Sequence, residues 1–366
     1  MNNELIDYEP RDIEVLGWSP FFQEHFQRLN VPGAIPARVA SESRNSFQVY
    51  SEYGVITAVI AGKLRYHDQP ESSHPAVGDW VAVKPLAGEK KAVIHAVLPR
   101  KSQFSRKVAG ECTEEQIIAA NIDTVFIVSG LDGGRDFNLR RIERYLTLAW
   151  SSGATPVIIL NKVDLCPDVG KFITSVEGIA PGISIHAVSA REGTGLDSLR
   201  DYLTKGNTVA FLGSSGVGKS ALINALLGKE KQETGEVSPD NRMGRHTTTR
   251  REIIPLSSGG IMIDTPGMRE IQMWAGEDSL QGAFEDIEML AEECRFTDCS
   301  HNAEPGCAVK AAIVNGELDP VRLENYRKLQ NELKYLASRE TQSTRLYEKQ
   351  KWKQIAKWVK DIQNRP

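Results

Sequence analysis

The chain has few cysteines, no long apolar run and little net charge, and each shortage removes a class of protein. Five cysteines in 366 residues are too few for a disulfide-held secreted scaffold, and in a reducing compartment they stay thiols. No uninterrupted apolar stretch approaches the roughly 20 residues that span a bilayer. The opening MNNELIDYEP lacks the basic-then-apolar order of a secretion signal, so the expected location is cytoplasmic, with no membrane association. A net charge of −4 leaves any nucleic-acid contact to local basic patches. What remains, 40% hydrophobic and 25% charged residues, is ordinary for a soluble globular protein. The length suggests roughly two or three domains.

What is present centres on GSSGVGKS, Gly213 to Ser220, between an apolar run Thr208–Leu212 and a helical pattern Ala221–Leu227. Glycines in a strand-to-helix turn let consecutive backbone N–H groups converge on a phosphate, and the helix adds the positive end of its dipole. Gly213, Ser214, Ser215, Gly216, Val217, Gly218, Lys219, Ser220 and Ala221 are therefore expected to hold nucleotide phosphates. Lys219 would neutralise the terminal ones during catalysis, and Ser220 would complete a magnesium shell.

From Ile122 onward strands alternate with helices, the sign of a parallel, doubly wound α/β domain. The strands read Ile122–Val128, Pro156–Leu160, Ile183–Val188, Thr208–Leu212, Arg251–Leu256 and Gly260–Ile263; helices fit Leu139–Ser151, Leu196–Leu203 and Ala221–Leu227. The second strand runs into NKVD, Asn161, Lys162, Val163 and Asp164. A carboxylate at Asp164 accepts from both N1 and N2 of guanine, a donor pair adenine lacks, so the site selects GTP over ATP. Asn161 would brace the loop and Lys162 would cover the base. The third strand ends in Ser189 and Ala190, where a backbone N–H is expected to meet guanine O6. DTPG, Asp264 to Gly267, closes the last strand: Asp264 suits magnesium and the Gly267 N–H the γ-phosphate. Between these lies HTTT, His246 to Thr249, as a switch loop in which one of the three threonines binds magnesium; the sequence does not distinguish them, and Thr248 is the one taken. Met268 stands where many GTPases carry glutamine, which leaves His246 as the candidate that orients water. In ordinary GTPases the phosphate loop comes first. Here NKVD precedes it by 52 residues, so the domain is circularly permuted.

The flanks differ in character. Before the α/β region, after a short amphipathic segment Pro20–Leu29, five short β-rich runs between Ile35 and Leu98 suit a small barrel, either an RNA-binding OB-fold or an SH3-like spacer. Pro99–Lys107 sets four basic residues around Phe104, which suits either RNA stacking or a solvated linker. After the α/β region, an acidic helical stretch Ser279–Glu293 leads to Cys294, Cys299, His301 and Cys307. Three thiolates and an imidazole form a closed tetrahedral set, as a structural zinc requires. From Val321 to Pro366, 12 lysines and arginines face 5 acids, a local charge of +7. Tyr326, Tyr335, Tyr347, Trp352 and Trp358 are interspersed, a pattern that fits either rRNA contact or a solvated helix with its aromatic residues packed on the body.

The permuted order, the GSSGVGKS, HTTT and DTPG loops, the preceding barrel and the following Cys–His cluster together resemble the RsgA family of GTPases dependent on the small ribosomal subunit. The resemblance covers nearly the whole chain. It implies a circularly permuted P-loop GTPase domain flanked by an N-terminal OB-fold β-barrel and a C-terminal, mainly helical zinc-binding domain. The corresponding boundaries are an extension over 1–34, the barrel over 35–100, the GTPase domain over 101–275 and the zinc domain with its basic tail over 276–366. It further implies a monomer that hydrolyses GTP to GDP and phosphate, with Mg²⁺ as cofactor and one structural Zn²⁺, and that binds the 30S subunit and its rRNA late in maturation. The competing expectations are a GTP-regulated RNA-binding module with incidental hydrolysis, and a GTPase of another RNA process.

Overall fold

In a computed structural model the chain is described over residues 12–43, 46–62, 74–107, 115–133, 137–228, 252–264, 283–302, 304–331 and 333–334. A first helix, α1 (Pro20–Leu29), starts with Pro20 in its first turn after Ser19 and ends on Asn30 in the left-handed conformation, a common helix stop. It buries Phe22 beside Leu16, Trp80 and Leu98, packing onto the barrel end as its amphipathic pattern requires.

Five strands follow: β1 (Ile35–Ser43), β2 (Ser46–Ser51), β3 (Gly54–Ile60), β4 (Trp80–Pro85) and β5 (Lys91–Val97). β1 pairs with β2, β2 with β3, β3 in parallel with β5, β5 with β4, and β4 back with β1. The ring closes in the order 1-2-3-5-4, the OB topology, and every strand gains two neighbours. A register shift between Val39 and Ser41 supplies the bend that closure needs. Alternate positions, among them Val39, Val49, Ile56, Val81 and Ile94, fill the interior.

The basic segment before the α/β domain is neither linker nor stacking platform. It forms β6 (Gln103–Lys107), paired antiparallel with β7 (Glu115–Ala120), and Phe104 is only 2% exposed, in the main core with Ile118. Burial of that ring outweighs the four cations around it.

The central sheet runs β10 (Ile185–Val188), β9 (Thr155–Asn161), β8 (Thr124–Gly130), β11 (Thr208–Leu212), β13 (Ile261–Asp264), β12 (Glu252–Pro255). All neighbours are parallel except β12 with β13. Only a short turn joins those two, too short for the crossover that parallel pairing demands, so the expected all-parallel sheet acquires an antiparallel edge. Period-two alternation then sorts the apolar run into two cores. Val125, Ile127, Ile158, Leu160, Ala210 and Leu212 face one way; Phe126, Val128, Val157, Ile159, Val209 and Phe211 face the other. Both faces are covered, which is why β8 and β11 are buried at every residue.

On the first face lie α2 (Leu139–Ser152) and α3 (Val169–Glu177). On the second lie a single turn, α4 (Asp197–Arg200), and α5 (Lys219–Leu227). Strand β1 of the barrel touches the sheet edge at Ser41, opposite Glu252 of β12. The C-terminal region adds α6 (Glu285–Glu292), α7 (Ala308–Asn315) and α8 (320–331). Its Phe284, Ile287, Val309, Leu323, Tyr326 and Leu329 join the first core. At about 1.5–3 kcal/mol for each large apolar side chain buried, this docking is substantial.

That docking corrects one expectation. Tyr326 is not presented for stacking on RNA: it is 6% exposed, its ring centroid lies 5.5 Å from that of Phe284, and its hydroxyl donates to Glu288 at 2.8 Å. Tyr335, Tyr347, Trp352 and Trp358 lie outside the described residues.

Candidate nucleotide site and metal centre

β11 sits between β8, which precedes it in the chain, and β13, which follows it. The sheet's winding reverses there, and the crevice beyond such a reversal is where parallel sheets hold ligands. The loop leaving β11 fits only with glycine at two points. A Cβ on Gly213 would lie 2.4 Å from the Val128 carbonyl oxygen; one on Gly218, at φ +93°, would lie 2.3 Å from Asn161 Nδ2. Gly218 caps α5, which starts at Lys219, so the loop ends on a positive helix terminus as the sequence requires. Lys219 Nζ donates to the carbonyls of Gly213 at 2.8 Å and Ser214 at 2.7 Å, folded onto its own loop.

Asn161 holds the site together. It is 1% exposed; its Nδ2 donates to the Val217 carbonyl at 2.9 Å and its Oδ1 accepts the Ala190 N–H at 3.1 Å. One amide thus pins the ends of three loops that are far apart in sequence. The Ala190 N–H, expected to meet guanine O6, is engaged in this brace. Ser189 is fully buried and donates to Asp164 Oδ1 at 2.6 Å, fixing the carboxylate that the sequence assigns to the base. Asp164 lies in a short 3-10 turn, Val163–Leu165, entered through Lys162 in the left-handed conformation at φ +66°.

Two further residues reach this site without any sequence signal. Asp132, just past β8, is ion-paired with Lys162. Arg141, on α2, donates to Ser214 Oγ at 2.5 Å. Neither belongs to a motif; adjacency of β8 to both β9 and β11 brings them in. Ser215, Gly216, Ser220 and Ala221 lie on the same loop and first helical turn, and Asp264 is the last residue of β13, the strand parallel to β11. His246, Thr248 and Gly267 lie outside the described residues, as does Met268.

The second cluster is Cys294, Cys299, His301 and Cys307, whose ligand atoms all fall within 4.8 Å of one another. Cys294 Sγ is 3.9 Å from Cys307 Sγ and 3.6 Å from His301 Nδ1, and Cys307 Sγ is 3.5 Å from that nitrogen. A tetrahedron with Zn–S near 2.3 Å and Zn–N near 2.0 Å has edges of about 3.5–3.8 Å, so the donor set fits one such ion. Burial, and next the charge of Arg327, lowers the pKa of His301, keeping the imidazole neutral and able to coordinate. Partial burial, and then crowding by Cys307 and Cys294, pushes the Cys299 thiol up to about 11; a shared cation is what lets such neighbours ionise together. Glu304 fastens the loop by accepting from the backbone N–H groups of Ser300 at 3.1 Å and Asn302 at 2.8 Å.

Comparison with known proteins agrees with this layout. A model of the RsgA GTPase family matches residues 97–274, and one of 50S ribosome-binding GTPases matches 208–344. The small ribosomal subunit biogenesis GTPase RsgA of Opitutus terrae is 47% identical over 350 residues, 93% of this chain and 95% of that one. A namesake, RsgA 2 of Lactiplantibacillus plantarum, is 45% identical over 335 residues, 91% of this chain and 94% of its own. The crystal structure of YjeQ from Thermotoga maritima superposes with a TM-score of 0.63 at 30% identity, covering 82% of this chain and 98% of that one. YloQ, a circularly permuted GTPase, shares the fold with a TM-score of 0.59 at 23% identity over 83% of this chain and 96% of its own. With a rotated GTPase domain, a closed barrel before it and a Cys₃His cluster after it, the chain belongs to the RsgA GTPase family.

Proposed function

We propose that the chain hydrolyses GTP to GDP and phosphate on the small (30S) ribosomal subunit during its maturation, and that it acts as a cytoplasmic monomer. The observation that carries the pocket assignment is Asn161, one buried amide tying the guanine-selective loop to the phosphate loop. Asp164, held by Ser189, accepts the guanine N1 and N2 hydrogens. The stem of Lys162, anchored at Asp132, covers the base. Lys219 leaves the carbonyls of Gly213 and Ser214 for the terminal phosphates, and Gly267 donates its N–H to the γ-phosphate. Ser220 and Asp264, joined by Thr248, would hold magnesium, which supplies charge neutralisation across the phosphates. His246 orients the attacking water in place of glutamine.

Cys294, Cys299, His301 and Cys307 would hold a structural zinc, whose closed ligand set leaves no position for substrate. The domain limits proposed are those given by the sequence, with the barrel over 35–100 and the GTPase domain over 101–275. The relatives' names supply the subunit; the excess of lysine and arginine over acids from Val321 to Pro366 supports contact with rRNA.

The deciding experiment measures GTP hydrolysis alone, with purified small subunits and with purified large subunits. Acceleration by small subunits only is expected. Equal acceleration by large subunits, a live outcome given the 50S-binding model match, or none by either, overturns the assignment. Asp164→Asn should lose the preference for guanine nucleotides, and His246→Ala should lose subunit-stimulated turnover.

A further inference from the structure

Helix α2 carries two contacts of different kinds two residues apart. Arg141 donates to Ser214 Oγ in the phosphate loop at 2.5 Å. Glu143, 1% exposed, receives Arg322 NH1 at 2.8 Å and Asn325 Nδ2 at 2.7 Å, both from α8 of the C-terminal region. Residues two apart on a helix point to nearly opposite sides, so α2 lies between the phosphate loop and the C-terminal domain and touches both. Ile142, Leu146 and Ala149 meanwhile pack it into the first core.

The C-terminal grip is firm. Arg322 is 4% exposed, reaches Asp286 with Nε at 2.5 Å and NH2 at 2.7 Å, and donates to the Ala283 carbonyl at 3.0 Å. A packed helix does not shift at residue 143 and stay put at residue 141. The phosphate-loop end is poised differently. Ser214 is held twice, by Arg141 at its hydroxyl and by Lys219 at its carbonyl, and the lysine must leave when it turns to a phosphate. Arg141 then keeps Ser214 in place and adds a cation beside the phosphates.

We infer that Arg141 is a positioning residue of the nucleotide site, and that its placement is set by docking of the C-terminal domain through Glu143. This rests on the reading of GSSGVGKS as a guanine-nucleotide loop. By linkage, a nucleotide that binds better with Arg141 in place also favours the docked domain.

A double-mutant cycle on the full chain tests it, with the dissociation constant of fluorescently labelled GDP as readout. Arg141→Ala should weaken binding by about 5- to 10-fold, within the usual span of site coupling. Asn325→Ala touches no residue of the pocket, yet should weaken binding by about 2- to 3-fold. The double variant should bind no more weakly than Arg141→Ala alone, because both changes break one relay. Arg141→Lys, which keeps the charge, should recover part of the loss. Additive effects, or full affinity in a folded Asn325→Ala protein, overturn the inference. Should Asn325→Ala fail to fold, Asn325→Ser, whose hydroxyl is too short to replace the 2.7 Å contact with Glu143, takes its place in the cycle with the same expectations. A wild-type chain that binds no guanine nucleotide would instead overturn the pocket assignment itself and the inference with it.

Discussion

Two buried arginines stand at the two junctions of the GTPase domain, and they are satisfied in opposite ways. Arg38, on β1 at the barrel junction, is 1% exposed and, among the described residues, donates to carbonyls alone: Leu16 at 2.5 Å, Gly78 at 3.2 Å and Asn121 at 2.9 Å. Burial pulls its pKa down to about 10, with Asp123 and Asp79 partly opposing. Arg322, at the C-terminal junction, is equally hidden, but there burial is outweighed by Asp286 and Glu143, so its pKa lies above the ordinary value. The first junction is a backbone staple that draws an N-terminal segment, the barrel and the β7–β8 turn onto one guanidinium. The second is an ion cluster whose parts cannot be separated without stranding charge. Both junctions therefore resist separation, the barrel's through backbone acceptors gathered on one cation and the C-terminal domain's through side-chain charges that depend on one another.

Metal removal is expected to widen the contrast most. The Cys₃His loop leads into α7 at Cys307 and touches α8, the helix of Arg322, where Arg327 donates to the His301 carbonyl. Chelation, or Cys299→Ala, should unfold the C-terminal domain, because binding energy at such a centre is folding energy. Hydrogen exchange would then rise across 283–334 and stay slow across 35–97. Equal loss of protection in the barrel would show that the two junctions are one unit.

Substitution of the arginines themselves comes next. Arg322→Ala leaves Glu143 and Asp286 without their cation, and breaking such a pair by one partner costs about 3–5 kcal/mol. Arg38→Ala strands the carbonyls of Leu16 and Asn121, while that of Gly78 keeps Asn121 Nδ2 at 3.0 Å; at roughly 1–3 kcal/mol for each group stranded this costs about 2–6 kcal/mol. Denaturant titration ranks them. A further change separates the mechanisms: Arg322→Met combined with Glu143→Leu removes the buried pair, leaves Asp286, whose side chain is 31% exposed, to water, and should recover much of the loss, as apolar replacement of buried pairs often does. Nothing comparable rescues Arg38, whose partners are backbone.

The same contrast explains what the sequence made legible. The meeting of the GSSGVGKS and NKVD loops was readable because each is a short local pattern at a strand end: glycines where a Cβ would strike Val128 or Asn161, and a carboxylate at Asp164. Asp132 and Arg141 were not, since their part depends on which strands become neighbours. Phe104 and Tyr326 drew RNA-contact readings for one reason. Each lies among cations, and charge density masked the apolar spacing; Leu323, Tyr326, Leu329 and Leu333 in fact form a helical stripe that goes into the core. The barrel's five strands were visible, while its closure depended on the parallel pairing of β3 with β5. Helix α3 went unseen because Pro167, Gly170 and Gly178 punctuate a segment rich in β-branched residues, even though Val169, Phe172, Ile173 and Val176 keep helical spacing.

The smallest expected effect is a pH dependence, and it bears on Glu143 alone. Burial raises its pKa above 4.5 despite the opposing pull of Arg322 and Asn325. A carboxyl whose folded pKa is raised binds its proton more tightly in the folded state. Its contribution is therefore fully present below pH 4.5 and is lost as pH rises through the higher folded value. Asp79 at the barrel junction, raised first by burial and paired with Arg100, has the same sign, so a stability curve of the whole protein mixes the two. Glu143→Gln isolates one of them: it keeps an acceptor for Arg322 and removes the titration. Subtracting the variant's denaturant stability from that of the wild type, at steps from pH 4.5 to 7, should give a difference that falls with rising pH. Repeating the subtraction in 0.5 M salt distinguishes burial from pairing: a slope set by burial persists, whereas one set by exposed charges is screened within about 10 Å at 0.1 M salt and closer still above it. A flat difference would mean that Arg322 fully compensates Glu143, and that the C-terminal junction is as indifferent to pH as the staple at Arg38.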